Sequence, residues 1–489
     1  MSSAIWWIRR DLRLSDNQAL SAALRYSGGV LPVFILDPSL ISSRYCGQKR
    51  LSFLFDGLRI LDASLRERGS YLILRSGNPA FILKQLLQQT GSDAIYAEED
   101  YSPYAVSRDR PIVESLPLTL FPGLTVHHPK DILKPNRTPY TVFTPFKNAW
   151  QARGRNGQLL PAPRQIPTPL GISSEAIPVG DPNLKGRLFS AGEVEAQHRL
   201  ETFFDGQDAF VFTYQENRNR LDFEETSMLS PYLRFGMLSA RQAVNAAWQA
   251  EVRAWDQSSH RGIETWLNEL IWREFFQSIL YHFPEVRSGS FRPEMSRIRW
   301  INDEADFSAW KYGQTGYPVV DAAMRQLAQE GWIHNRARMI VASFLTKDLL
   351  IDWRWGECHF MQHLVDGDPA ANNGGWQWVA GTGTDAAPYF RIFNPVFQGM
   401  KSDPQGTYVR RWIPELSTVP DEFIHNPWKM PVEMQRSAGC IIGIDYPTPI
   451  VDHAAARLRG LAAYSSQPLD EDCRPTRRNH YSGNGDHRR

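Results

Sequence analysis

The sequence predicts an α/β chain in two unequal parts: a doubly wound parallel sheet over residues 1–130, then a larger all-helical domain over 206–465. Three observations predict it. The apolar runs AIWWI, VLPVFIL, YLILR and AIYAE are short and lack polar alternation, so they read as parallel strands buried on both faces. Between them Leu51, Leu54, Leu58, Leu61 and Leu65 recur at helical spacing. Strand alternating with helix is the pattern of a doubly wound sheet. Beyond residue 206 the pattern is helical throughout.

The elements follow in order. The first strand runs into Arg9, Arg10, Asp11, Arg13 and Asp16, with no GxGxxG dinucleotide fingerprint behind it. A ligand at the switch point of the sheet is permitted by this pattern, not required. Residues 131–205 read as a connector, because QARGRNGQLLPAPRQIPTPLG and IPVGDPNLKG are dense in proline and glycine and have little periodicity. WLNELIWREFFQSILYHF, PVVDAAMRQLAQEG and RARMIVASFLTKDLLIDW then predict helices. Residues 466–489 are polar and unpatterned, and disorder is expected there.

Bulk properties narrow the function. The 489 residues carry a net charge of +1, so any nucleic-acid binding must come from a local patch. Cys46, Cys358, Cys440 and Cys473 form no CxxC pair, which argues against zinc, iron–sulfur and disulfide frameworks and fits a reducing cytosol. The N-terminal MSSAIWWIRRDL has no signal-type apolar region, and no run is long enough to cross a bilayer. A soluble cytoplasmic protein is expected, with no membrane contact. His359 and His363 are four apart and could share a helix face as metal ligands, but no third ligand accompanies them and no metal is expected.

The segment DGDPAANNGGWQWVAGTGTDAAPYFRIFNP, from Asp366 to Pro395, is the most informative. Trp376, Trp378, Tyr389, Phe390 and Phe393 supply flat apolar faces among fixed polar groups, as a pocket for a heteroaromatic ligand requires. A glycine-rich turn packed by aromatics fits the composition equally well. Two helix faces repeat the theme. Glu269, Trp272, Arg273 and Phe276 are spaced i, i+3, i+4, i+7, and so are Asn335, Arg338, Met339 and Ala342. Thr226, Ser227, Leu229 and Ser230 precede a helical pattern, where hydroxyls and free N–H groups suit either a phosphate or a simple N-cap.

These segments, with IRRDLRLSDN (Ile8 to Asn17), GWIHNRARMIVASFLTKDLLIDWRWGE (Gly331 to Glu357) and YPTPIVDHAAAR (Tyr446 to Arg457), resemble the DNA photolyase/cryptochrome family. The likeness spans nearly the whole chain and is nearest the bacterial class I cyclobutane pyrimidine dimer photolyases. It implies an FAD-binding helical domain acting on UV-damaged DNA, in a monomer needing no protein partner. Light-driven splitting of the dimer by an electron from reduced FAD is the implied reaction. Tyr214, Thr226, Ser227, Leu229 and Ser230 match the family's contacts to the FAD phosphates and ribitol, with Met228 and Trp266 among the cofactor contacts. Asp366, Gly367 and Asp368 match the isoalloxazine and adenine side, Arg338 pairs with Asp366, and Asn372 faces flavin N5. Pro369 departs from the expected leucine, so an altered local turn is expected there.

The resemblance also assigns the lesion pocket: Glu269, Trp272, Asn335, Met339 and Trp378. Asn335 and Met339 stand where the (6-4) branch carries histidines, which favours cyclobutane dimers. Trp376, Trp353 and Trp300 match an electron relay running from flavin to solvent. Arg218, Arg273, Arg336, Gln398, Lys401, Arg410 and Arg411 are candidate DNA contacts, the last three equally readable as solvated charge. A second, antenna chromophore is implied. Tyr104 and Ala105 replace the Asn–Glu pair of folate-binding relatives, and Arg287 and Ser288 replace their Cys–Lys pair, so a deazaflavin is favoured over a folate and a flavin stays open. The alternatives are a blue-light cryptochrome without repair, a (6-4) photolyase, and an unrelated nucleotide-binding α/β enzyme.

Overall fold

The computed structural model describes residues 3–154, 157–181, 184, 189–388 and 390–465. The expected tail over 466–489 lies outside the described residues. Five parallel strands form one sheet in the order β3-β2-β1-β4-β5: β1 Ser3–Ile8, β2 Gly29–Leu36, β3 Ile73–Ser76, β4 Ala94–Glu98 and β5 Leu118–Phe121. The first four coincide with the apolar runs. The sequence reading missed β5, whose run LTLF is interrupted by Thr119 and hemmed in by Pro117 and Pro122.

Four helices cover the sheet: α1 Gln18–Tyr26, α2 Gln48–Arg66, α3 Pro79–Thr90 and α4 Pro103–Ser115. Alternate side chains of β1 enter different cores. Trp6 and Ile8 pack with Leu20 of α1 and with Leu58, Leu61 and Leu65 of α2, whereas Ile5 and Trp7 pack with Leu83 and Leu86 of α3 and Ile112 of α4. Burial on both faces explains why these strands read as unbroken apolar runs.

The stretch read as a connector holds helix α5, Phe143–Ala152, and ends in a second helix over Glu193–Phe204. Between them the chain lies along the sheet: Val30 N–H donates to Pro167 O and Glu175 N–H donates to Leu74 O. Among the described residues little regular structure forms there, as the proline density predicts.

The helical part contains α6 Ser230–Phe235, α7 Gln257–His282, α8 Pro318–Glu330, α9 Asn335–Ser343, α10 Trp353–His363, α11 Pro369–Ala380, α12 Pro395–Ser402 and α13 His453–Ser465. The charged run after β1 latches it to the sheet. Arg13 Nη1 donates to Gly236 O at 3.1 Å, Leu12 N–H donates to Phe235 O at 3.2 Å, and Ser239 Oγ donates to Asp16 Oδ2 at 2.6 Å. Gly236 is required at this contact: its φ is +65°, and a Cβ would come within 1.8 Å of Arg10 O.

Candidate functional site

α7, α9 and α11 surround a cavity of about 350 Å³. α7 begins at a capping box in which Asp256 accepts from Ser259 N–H. It presents Trp266, Glu269, Trp272, Arg273 and Phe276 to the cavity, so the four residues predicted to share a face do so. α9 presents Asn335, Arg338, Met339 and Ala342, the second predicted face. From α11 and its approach come Asp366, Gly367, Asp368, Asn372, Gly375 and Trp376, and the loop into α6 adds Ser227, Leu229 and Ser230. Tyr214 completes the wall.

Pro369 does not disturb the turn. It occupies the first position of α11, where no intrahelical N–H bond is due, while Asp368 caps the helix by accepting from Ala370 and Ala371 N–H at 2.9 and 3.1 Å. Arg10 and Arg234 also converge on Asp368. Burial works against its ionisation, but Arg10, Arg234 and Arg273 outweigh it and hold the carboxyl well below the usual carboxylate range. Arg234 in turn donates to Gly367 O at 2.8 Å, and burial, with Arg10 adding, lowers its guanidinium to about 9.

Several groups stand ready for a ligand. Arg338 Nη2 bonds Asp366 Oδ2 at 2.8 Å, leaving Asp366 Oδ1 buried with no partner. The hydroxyls of Ser227 and Ser230 accept indole N–H from Trp266 and Trp332 at 3.2 and 3.3 Å, which leaves each hydroxyl proton to donate. Met228, between them, has φ +48°, a left-handed conformation that carries strain in a residue with a Cβ. Asn372 Nδ2 donates to Glu357 O and Oε1 at 3.0 and 3.1 Å, so its own carbonyl oxygen is the end left over. A Cβ on Gly375 would meet nothing within 4 Å, so α11 is bare at the cavity wall. This set of phosphate-type donors, a bare wall and an unsatisfied carboxylate fits FAD.

The residues that the resemblance assigns to the lesion and to DNA divide. Arg218 donates to Glu269, and burial raises the Glu269 carboxyl against the pull of Arg218. Trp272 lines the main cavity and a smaller neighbour that it shares with Trp378. Arg273 lines the cavity, and its guanidinium donates to Leu124 O and Leu233 O at 3.0 and 3.4 Å. Arg336 Nε bonds Asn219 Oδ1 at 3.1 Å, Arg410 pairs with Asp421 at 2.6 Å, and Arg411 pairs with Glu224 at 2.6 Å. Gln398 is half-buried on α12 and Lys401 beside it is exposed. Thr226, Met228, Trp300, Trp353, Trp378 and Gln398 lie outside the main cavity lining.

Trp376 and Trp353 are each 2% exposed. Gly356, one turn beyond Trp353 on α10, receives the ring of Trp376 against its Cα, where a Cβ would come within 2.1 Å. Trp300 is half-buried beside Tyr464 of α13, ring centroids 6.1 Å apart. Trp310, at 6.1 Å from Trp376, and Phe360, at 5.0 Å, also touch that indole. Sequence reasoning missed both, along with Arg234 and Trp332, because each sits in an ordinary helical or apolar pattern.

A second cavity of about 370 Å³ opens at the C-terminal edge of the sheet, lined by Ile8, Arg9, Asp37, Tyr104 and Arg108 among others. It lies at the β1/β4 switch point. Arg287 and Pro369 close it from the helical side, and Arg234 borders both cavities. The rings of His359 and His363 lie tilted by 35° with centroids 4.1 Å apart, and His363 Nδ1 lies 2.9 Å from His359 O. Among the described residues no group of three acidic, cysteine or histidine side chains could hold a metal ion, and no helix is long and apolar enough to cross a membrane.

The family model for the FAD binding domain of DNA photolyase matches residues 266–466, and that for DNA photolyase matches residues 4–167. A deoxyribodipyrimidine photo-lyase of Agrobacterium fabrum is 40% identical over 476 residues, covering 94% of this chain and 97% of the relative. Among solved structures, a bacterial class III photolyase from Agrobacterium tumefaciens superposes with a TM-score of 0.88 at 39% identity, over 95% of this chain and 98% of that one. A Synechocystis cryptochrome superposes with a TM-score of 0.84 at 30% identity, over 95% and 98%. The chain belongs to the DNA photolyase family.

Proposed function

We propose that this chain repairs cyclobutane pyrimidine dimers in DNA under blue or near-UV light, with FAD in the cavity between α7, α9 and α11. The observation that carries the reading is the cavity wall itself: Glu269, Trp272, Asn335 and Met339 stand beside the residues that fit FAD. A light-signalling role does not need that wall. When bound, reduced FAD supplies the photoexcited electron that opens the cyclobutane ring, and the reaction has no net redox change.

The chain's own residues bind, orient and exclude water. Asp366 and Arg338 offer a fixed ion pair to one edge of the flavin ring, and Ser227 and Ser230 offer hydroxyl donors to its phosphates. Asn372 is held by Glu357, so its carbonyl oxygen meets the cofactor in a set orientation. Trp272 and Trp378 form the flat wall for the flipped dimer, whose pairing to the opposite strand is already weakened, so that it is cheaper to extrude. Glu269 receives the polar pyrimidine edges. Trp376, Trp353 and Trp300 provide indoles between the cavity and solvent. Arg218, Arg336, Gln398 and Lys401 meet phosphates without reading sequence, which suits a lesion of any context.

The second cavity is proposed to take an antenna chromophore, a deazaflavin before a folate. Supporting this, Tyr104 and Ala105 line it where folate relatives carry other residues, and Arg287 borders it. The chain is further proposed to act as a monomer. The test of the reading is FAD content and lesion selectivity. Purified protein should hold about one FAD per chain and bind a duplex with one thymine dimer about 10³-fold or more tightly than undamaged duplex, a typical specific ratio. Flavin-free protein, or equal affinity for both duplexes, contradicts it.

A further inference from the structure

The chain between the two domains supplies a ring to the cavity wall from behind. Phe143, the first residue of α5, lies face to face with Trp272: the ring centroids are 3.7 Å apart and the planes differ by 5°. Its own ring is buried and meets the edge of Phe275 at 5.9 Å and 76°. Phe143 therefore covers one face of the Trp272 indole, while Phe276 meets the same indole tilted, at 5.4 Å and 36°.

Phe143 cannot easily move. Its backbone N–H donates to Asp385 Oδ2 at 2.9 Å, and Thr384 Oγ1 donates to Thr141 O at 2.6 Å. Both acceptor and donor belong to the loop that follows α11. At the other end of α5, Trp150 Nε1 donates to Glu274 Oε2 at 2.7 Å, two residues beyond Trp272 on α7. α5 is therefore tied both to the helix that carries Trp272 and to the loop after the helix that carries Trp378.

We infer that Phe143 is a positioning residue for lesion recognition: stacked behind Trp272, it sets the plane of the indole before the dimer arrives. The inference rests on the proposed role of Trp272 in the lesion site. An indole with no backing ring would lose rotamer freedom when a ligand stacked on it. One held in plane loses little, and the difference appears as affinity for the lesion. Asp385 and Thr384 act one step further out, by holding the N-terminus of α5.

The test uses FAD-loaded full-length protein and three variants. Phe143→Leu keeps apolar volume and loses the flat ring. It should raise the Kd for a duplex carrying one thymine dimer by about five- to tenfold, the usual worth of an aromatic pair. Affinity for undamaged duplex, FAD content and the rate of flavin photoreduction should stay unchanged. Phe143→Tyr should restore dimer affinity, because the ring is retained. Trp272→Ala is measured alongside: if it leaves dimer affinity untouched, the lesion-wall reading itself fails. If Trp272→Ala weakens binding and Phe143→Leu does not, the positioning role is overturned. Loss of FAD or of undamaged-duplex affinity in Phe143→Leu would make the ring merely structural and overturn it as well.

Discussion

Arg218 donates to the carboxylate of Glu269 on the cavity wall, with the two side chains 34% and 33% exposed. Burial raises the Glu269 carboxyl and Arg218 pulls it back toward ionisation. Arg218→Ala removes that pull, so Glu269 should ionise at higher pH. The acidic limb of the repair-versus-pH profile should move upward in this variant. Glu269→Ala should lower repair yield while FAD remains bound; repair at the unaltered yield would remove Glu269 from the mechanism.

Trp376 fits only because residue 356 is glycine. Gly356→Ala forces the indole away from α10 and should cost about 1–3 kcal/mol of stability, as overpacking does. Photoreduction of oxidised flavin should slow with it. Trp376→Phe should block photoreduction yet spare repair by pre-reduced enzyme, read by transient absorption and by a repair assay in parallel. Full photoreduction in Trp376→Phe would mean that the electron enters another way.

The adjacent histidines His359 and His363 make the fold acid-sensitive. Burial, with His363 and Lys311 adding, lowers His359 to about 3, against an ordinary value of 6.5. The unfolded chain therefore binds a proton near pH 6.5 that the folded chain refuses until about pH 3. The contribution is complete above pH 6.5 and drains away as pH falls through that window. His359→Phe should remove about 2 kcal/mol of the stability lost between roughly pH 6.5 and 5. Denaturant midpoints at both pH values measure it, and an unchanged difference would contradict the burial argument.

DNA binding should separate free cations from paired ones. Lys401 is exposed and, among the described residues, has no acidic partner within ion-pair distance. Lys401→Ala should reduce the slope of log K against log salt by about 0.9, the loss of one phosphate contact. Arg411, paired with Glu224 at 2.6 Å, should change the slope less. Equal slopes for both variants would mean that the Glu224 pair opens on DNA.

Much of this was legible before the structure. Four strands announced themselves because burial on both faces leaves no polar alternation, and the faces of Glu269–Phe276 and Asn335–Ala342 followed from helical spacing alone. What stayed hidden has physical reasons. β5 is interrupted by Thr119 and flanked by Pro117 and Pro122, and α5 lies in proline-rich sequence. Spacing placed Arg273 on the cavity face but not the direction of its long side chain, whose guanidinium reaches two backbone carbonyls. The latch formed by Arg10, Arg13 and Asp16 needed partners more than two hundred residues away. Pro369 seemed a disturbance until Asp368 was seen to cap α11.

The most direct measurement is light-dependent repair. Reduced, FAD-loaded protein is mixed with an oligonucleotide carrying one thymine cyclobutane dimer, and in parallel with one carrying a (6-4) photoproduct, in blue light and in the dark. The account predicts intact thymines from the cyclobutane dimer only, and only in light. Repair of the (6-4) substrate instead, or no repair by protein that holds reduced FAD, would contradict it.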